Sequence, residues 1–161
     1  MSSFLFEHAN VFDGVNEALL VDHHVLVEGN RIIEVSDRAI SSATAVTIDA
    51  AGKTLMPGLI DAHVHVYLAD LEGILLKAPA TYYAQYAGKF LNFIMNCGFT
   101  TVRDIAGGDH GLAMAIRKKF ITAPRLYYGG LALSQTGGHG DMRSSAEATP
   151  TCTCGAEFSF L

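Results

Sequence analysis

Apolar residues in the first fifty-odd positions come in short runs rich in β-favouring residues, and polar turn dipeptides separate the runs. Asp13-Gly14 and Gly29-Asn30 are such dipeptides, and the second lies between two runs as a hairpin turn would. No part of this region has a helical period over a useful length. We therefore predict a small antiparallel β unit over residues 1–56. Its strands are predicted at residues 3–11, 18–28, 31–35 and 46–49.

The pattern changes after Pro57-Gly58, where short apolar strands begin to alternate with segments that have apolar residues at helical spacing. Gly98 is a stop signal for the first helix, and Asp109 is an N-cap candidate for the second. Strands that alternate with helices of this length indicate parallel β-α units. The predicted order is strand 59–66, helix 81–97, strand 100–105, helix 109 to about 120, and strand 125–133.

The predicted fold class is thus α/β, with residues 57–161 forming the first β/α units of a larger domain. Three parallel strands leave the third with an open apolar edge that needs a neighbour. Residues from Gly137 onward are rich in Gly, Ser, Thr and Ala and have the composition of a loop. Because the apolar residues 156–161 carry no stop signal, we expect the domain to be incomplete within these 161 residues.

The candidate chemistry lies in a strand with two histidines two positions apart, His63 and His65. Alternate residues of a strand point to one face, so both imidazoles and Asp61 are expected on the same side, the histidines roughly 6.5–7 Å apart along the backbone. Imidazole nitrogens are good ligands for zinc and its neighbours in the transition series. The pair is therefore predicted to bind one divalent metal ion.

A bare His-x-His is more often an accident on a half-exposed strand than a metal site. Here the strand is apolar on its other face and Pro57-Gly58 precedes it. It also ends just after the histidines, and the active sites of parallel α/β barrels lie at that end of the strands. These features make the metal interpretation as well supported as the accidental one.

Three segments resemble the amidohydrolase superfamily, and together they cover essentially the whole chain in the right order. Residues 56–65, MPGLIDAHVH, resemble its first barrel strand, and residues 98–104, GFTTVRD, its second. Residues 133–141, LSQTGGHGD, are similar to the loop after strand three in the imidazolonepropionase-like branch. That branch includes Xaa-Pro dipeptidases (prolidases) and carboxypeptidases that act on N-acyl amino acids.

The resemblance implies a (β/α)8 barrel of the TIM type with a β-sandwich assembled from both chain ends. It implies that His63 and His65 are ligands of the more buried of one or two divalent ions, with zinc the expected cofactor. The superfamily completes its site with a lysine on strand four, histidines on strands five and six, and an aspartate on strand eight that acts as general base. None of those positions falls within this chain, so we expect this segment alone to be inactive, with its catalytic residues unknown.

For other residues near the predicted site, the sequence evidence for a functional role is weaker. His139 lies in the loop after strand three, and the resemblance implies contact with a substrate carboxylate. Tyr67 follows the metal strand and is expected either to line the substrate pocket or to pack as an ordinary aromatic residue. Arg103 and Asp104 end the second parallel strand and are interpreted as an internal ion pair with a structural role.

Composition limits the kinds of partner and the cellular location that we expect. The formal net charge is -5 without a basic cluster that would indicate nucleic acid, so the expected partner is a small molecule or dipeptide. The start lacks the features of a signal peptide, and no apolar run is long enough to span a bilayer. Three cysteines favour a reducing compartment, so a cytoplasmic location is expected. The open sheet also leads us to expect self-association into a homo-oligomer.

Two other functions stay open on the sequence. The chain could be a non-catalytic binding or interaction module that pairs through its open sheet edge. It could also be part of a deaminase or a cyclic-amide hydrolase, because these enzymes share the first motif and only the His139 loop argues against them.

Overall fold

The structure is a computed structural model that describes residues 2–68, 78–133, 135 and 138. The chain divides into two compact units, Met1–Pro57 and Gly58–Leu161, where the sequence predicted a boundary after residue 56. Within the described residues, neither helix has the length and apolar character that crossing a membrane requires.

The first unit is a single five-stranded sheet. Its strands are β1 (Ser3–Val11), β2 (Leu20–Glu28), β3 (Arg31–Ser36), β4 (Val46–Asp49) and β5 (Thr54–Leu55). The strand order is β3-β2-β1-β4, and β5 also pairs with β1. The antiparallel hairpin between β2 and β3 turns at Gly29, whose φ of 60° is a conformation that glycine adopts without steric cost.

The prediction of an all-antiparallel unit is wrong, because β4 and β5 both run parallel to β1. A parallel neighbour requires the chain to cross back over the sheet. Residues 37–45 make this crossing between β3 and β4, and Ile40 from this segment is buried against Leu5 and Leu26. The crossing segment therefore contributes to the apolar core, which turn dipeptides alone did not reveal.

The second unit is a parallel sheet with a helix after each of its first two strands. The elements are β6 (Leu59–Val64), α1 (Ala80–Asn96), β7 (Phe99–Asp104), α2 (His110–Arg117) and β8 (Arg125–Tyr128). The sheet order is β6-β7-β8, and both pairings are parallel. This arrangement confirms the predicted α/β class and β-α-β-α-β order.

The helices form where their apolar faces can be buried. Helix α1 buries Tyr83, Ala87 and Leu91, which are four residues apart and lie on one face of the helix. They belong to one core cluster with Val102 of β7. Helix α2 begins after Asp109, whose side chain accepts a hydrogen bond from the Leu112 backbone N–H at 2.7 Å. The predicted N-cap is thus confirmed.

Two strands of the second unit end earlier than predicted, for reasons seen in the backbone. Strand β6 stops at Val64 because residues 65–68 form a turn closed by the Leu68 N–H on the His65 carbonyl. Strand β8 stops at Tyr128 because Gly129 and Gly130 follow it, and Gly130 has a φ of 77°. The sheet also exposes large apolar side chains, which include Leu59, Ile60, Tyr127 and Tyr128.

Candidate metal centre

The two histidines of the first parallel strand lie side by side at its carboxyl end. Their ring centres are 5.4 Å apart, and the ring planes meet at 76°. His63 is the penultimate residue of β6 and is exposed, whereas His65 is the first residue after the strand and is half-buried. The structure therefore brings together the two residues that the sequence singled out.

The backbone achieves this arrangement differently from a regular strand. Asp61 pairs with Val102 and Val64 pairs with Asp104, so β6 advances three residues while β7 advances two. Such an extra residue is a β-bulge, which re-aims side chains near the end of a strand. The strand is therefore irregular between these two pairs, where the sequence prediction assumed regular alternation of faces. Asp61 uses its carboxylate to accept a hydrogen bond from the His63 backbone N–H at 3.0 Å.

The ring of His65 is oriented by a backbone carbonyl. Its Nδ1 lies 3.2 Å from the carbonyl oxygen of Ala106. A carbonyl can only accept a hydrogen bond, so we assign the proton of a neutral His65 to Nδ1. The lone pair is then on Nε2. Metal-binding histidines in proteins are commonly fixed through a hydrogen bond of this kind on the other ring nitrogen.

Asp104, the last residue of β7, is fully buried and holds the backbone beside the histidines. One carboxylate oxygen accepts the Val66 N–H at 2.7 Å, and the other accepts the Gly108 N–H at 2.9 Å. Sequence reasoning did not assign this role. The available signal was the alternation along β7, which places Asp104 on the same face as buried Val102, where a carboxylate requires hydrogen-bond donors.

The predicted ion pair between Arg103 and Asp104 is not what the structure gives. Adjacent strand residues point to opposite faces, and Arg103 is exposed while Asp104 is buried. The Arg103 Nε–H donates to the carbonyl of Ala62 at 2.8 Å. The two side chains therefore bind the backbone at different points and not each other.

Tyr67 lies two residues after His65 and is buried, and its hydroxyl donates a hydrogen bond to the Asp109 carboxylate at 3.2 Å. Burial raises the pKa of the Tyr67 phenol, and the neighbouring Asp109 carboxylate raises it further. Tyr67 and Asp109 also line an open cavity of about 820 Å³, to which α1 contributes Gln85 and Lys89. Neither histidine lines this cavity, and a substrate contact for Tyr67 stays a prediction. His139 lies outside the described residues.

The pair of imidazoles fits half of a metal site. Two imidazoles bound to one tetrahedral zinc at a Zn–N distance of about 2.0–2.1 Å have ring centres roughly 5 Å apart, close to the spacing seen here. In the part of the chain that the structure describes, no group of three or more His, Cys, Asp or Glu side chains is placed to hold a metal ion. His63 and His65 would thus supply two ligands, and a catalytic zinc generally has at least three protein ligands.

Several known proteins are similar to this chain. A prolidase crystallised with N-methylphosphonate-L-proline superimposes with a TM-score of 0.90 at 37% identity, over 99% of this chain and 40% of the prolidase. An ochratoxinase from Aspergillus niger is 41% identical over 93 residues, which are 55% of this chain and 19% of that enzyme. A 5-methylthioadenosine/S-adenosylhomocysteine deaminase from Thermococcus kodakarensis is 36% identical over 77 residues, 48% of this chain and 18% of the deaminase.

These matches concern the front part of much longer proteins, since the chain spans about two fifths of the prolidase and a fifth of the ochratoxinase. The model of the amidohydrolase family matches residues 54–154, which include the whole parallel sheet and both histidines. The chain belongs to the amidohydrolase family.

Proposed function

We propose that the protein to which these residues belong hydrolyses amide or peptide bonds with the help of a divalent metal ion, zinc in the first instance. The observation that carries the proposal is the pairing of His63 and His65 at the carboxyl end of the first parallel strand. In parallel barrels this end of the sheet carries the active site. A bound zinc ion supplies an acidified water and polarises a carbonyl group.

The residues of this chain contribute the first part of that site. His63 and His65 would hold the ion, and the Ala106 carbonyl would keep the Nε2 lone pair of His65 available to it. The chain contributes two ligands where a catalytic zinc needs three or more, and no general base is assigned within it. We therefore propose that the 161 residues alone are inactive and that residues outside them complete the site.

For the substrate we propose dipeptides or N-acyl amino acids. The prolidase with a bound proline phosphonate and the resemblance of residues 133–141 to the prolidase branch both support this class. Deamination is the second candidate, and the deaminase relative supports it, because deaminases share the first histidine motif. The same ion and the same two histidines would serve either reaction, so the substrate decides between them.

The test is an activity assay of the longer gene product, read on past codon 161, beside the 161-residue chain. Both are given zinc and offered Xaa-Pro dipeptides, other dipeptides, N-acyl amino acids and aminopurine nucleosides. We expect the longer protein to release amino acids, and the short chain to do nothing. If the nucleosides release ammonia and the dipeptides and N-acyl amino acids are not cleaved, deamination replaces hydrolysis of these substrates as the proposed function.

A matched pair of variants tests the site itself. His63→Ala with His65→Ala is expected to abolish hydrolysis because it removes both ligands. His110→Ala is the control, since His110 is an exposed histidine in the first turn of α2 in the same unit. Full activity of the double variant would contradict the proposed metal centre.

For partners we propose a small-molecule substrate and self-association of the chain when it is expressed alone. Exposed apolar residues on the sheet, Ile60 and Tyr127 among them, support association because they would gain from burial. Size-exclusion chromatography with metal analysis checks this. A well-behaved oligomer of the longer protein that never contains metal would favour a non-catalytic binding module.

A further inference from the structure

The end of β7 carries two charged residues that the proposed hydrolysis does not use. Arg103 and Asp104 follow Val102, at the point where the sheet meets the candidate metal centre. Asp104 is fully buried, and a buried carboxylate is costly unless several donors satisfy it. Its position therefore requires an explanation.

Asp104 binds backbone on both sides of the hydrogen bond that orients His65. Through the Val66 N–H it holds the residue after His65, and through the Gly108 N–H it holds the loop that contains Ala106. The Ala106 carbonyl accepts from His65 Nδ1. Donor and acceptor of that bond thus lie in two backbone segments that one carboxylate ties together.

Arg103 holds the opposite side of the histidine pair. Its Nε–H donates to the carbonyl of Ala62, the residue before His63, at 2.8 Å. Between the two contacts the Ile105 N–H donates to the Val64 carbonyl at 3.2 Å. The bulge in β6 interrupts the regular pairing in this stretch, and these contacts tie the irregular segment to the end of β7.

We propose that Arg103 and Asp104 are positioning residues for the metal-binding histidines. Together they fix the backbone from residue 62 to residue 66, and Asp104 keeps the Ala106 carbonyl where it holds the proton of His65 on Nδ1. This inference rests on the proposed metal centre. It goes beyond it by assigning two residues that touch neither ion nor substrate, and by explaining why the pair stands at the end of β7.

If Asp104 had only a structural role, its replacement would lower stability without changing the histidine rings. The test therefore measures the state of the rings directly. The 161-residue chain is labelled with ¹⁵N and studied without metal at alkaline pH. Long-range ¹⁵N–¹H NMR reports which nitrogen of His65 carries the proton. We expect Nδ1 in the parent chain, and a mixture of tautomers in Asp104→Asn, because an amide cannot accept from both backbone N–H groups through the same pair of oxygens.

Zinc titration supplies the second readout. Loss of a group that orients a metal ligand typically weakens metal affinity about 10- to 100-fold, and we expect about tenfold for Asp104→Asn. The control is Asp13→Asn, because Asp13 also accepts backbone N–H groups, from Val15 and Asn16, but lies in the first unit. We expect no change in His65 or in zinc affinity for that variant.

Arg103→Met tests the other contact, with Arg125→Met as its control. Both arginines are exposed strand residues, so neither change removes a buried group. We expect weaker zinc binding and a shifted His63 ring signal only for Arg103→Met. This variant also keeps the proposal falsifiable if Asp104→Asn does not fold.

The outcomes separate the two proposals. Folded Asp104→Asn and Arg103→Met proteins with unchanged rings and unchanged zinc affinity would overturn the positioning role and leave the metal centre intact. If even the parent chain shows no zinc binding to His63 and His65 while the tautomer of His65 still changes in Asp104→Asn, the metal centre fails and the positioning of His65 stands.

Discussion

Each unit of the protein holds two histidine rings edge to face, at nearly the same spacing. In the first unit His8 and His24 have ring centres 5.2 Å apart and planes at 65°. In the second unit His63 and His65 are 5.4 Å apart at 76°. Distance and angle alone do not distinguish a packed pair of rings from a metal-binding pair.

The hydrogen bonds distinguish them. His8 directs Nδ1 to the carboxylate of Asp22 at 3.0 Å, on the surface, and His24 is buried with an Nδ1 that has no partner among the described residues. His65 gives Nδ1 to a carbonyl, and the backbone around it is held by buried Asp104. A candidate metal pair can thus be recognised by which ring nitrogen is left free and by what fixes the ring.

The largest effect should come from removing the buried carboxylate of the second unit, with the exposed carboxylate of the first unit as the comparison. Asp104→Ala leaves two buried N–H groups without acceptors, and each lost hydrogen bond to a charged group is worth roughly 1.5–3 kcal/mol. We expect a loss of about 3 kcal/mol or more in the free energy of unfolding, measured by urea denaturation. Asp22→Ala removes an exposed partner and should change it far less. Equal losses in the free energy of unfolding for Asp104→Ala and Asp22→Ala would contradict the difference between the buried and the exposed carboxylate.

A smaller effect should come from a methyl group placed against the same carboxylate. A Cβ at Gly108 would lie 2.9 Å from the Asp104 Cγ and 3.0 Å from the Tyr128 Cβ, and crowding of this kind costs about 1–3 kcal/mol. We expect Gly108→Ala to lower thermal stability. Gly88→Ala in α1 is the control, because its Cβ would make an ordinary 3.4 Å contact with Ile121 and should stabilise the helix. Similar melting temperatures for the two variants would contradict this.

Tyr67→Phe should have a modest effect on stability. It removes the hydrogen bond to Asp109 but keeps the ring and the cap of α2, and one such bond contributes about 1 kcal/mol. Urea denaturation measures the loss. If the variant is as stable as the parent but the longer protein binds substrate more weakly, Tyr67 is a substrate residue and the packing interpretation is wrong.

The smallest effect concerns pH and the first unit. The hydrogen bond to Asp22 raises the pKa of His8 above its ordinary 6.5, with help from the charges of Asp49 and Glu7 and against partial desolvation. A raised pKa in the folded state means that this stabilisation is complete below about pH 6.5 and fades as the pH rises through the folded value. Asp22→Asn should therefore flatten the pH dependence of the urea midpoint above about pH 6.5. A midpoint that keeps its full pH dependence would show that the pair contributes nothing.

Much of the fold could be predicted, because apolar periodicity and caps are local signals. Strands β1 and β4 and the Asp109 cap follow from short-range pattern. The parallel pairing of β4 with β1 could not be predicted, since it depends on a segment that crosses the sheet. The early ends of β6 and β8 come from a turn at residues 65–68 and from Gly129 and Gly130, whereas the apolar pattern continues past both points.

The site shows the same division. The spacing of His63 and His65 is visible in the sequence, but the bulge that sets their rings is a property of two paired strands. Arg103 and one carboxylate oxygen of Asp104 bind backbone atoms about forty residues away. The sequence pattern contains no signal for such contacts. Because Arg103 and Asp104 are neighbours in the chain, the sequence predicted an ion pair, whereas in the structure each side chain binds backbone atoms.

The proposed metal site at His63 and His65 is tested by titrating the 161-residue chain with zinc. All histidine ring signals are followed in one NMR experiment. We predict that the signals of His63 and His65 shift together with one binding curve, while those of His8 and His24 stay in place. Shifts confined to the first unit, or a chain whose His63 and His65 signals ignore zinc, would contradict the account.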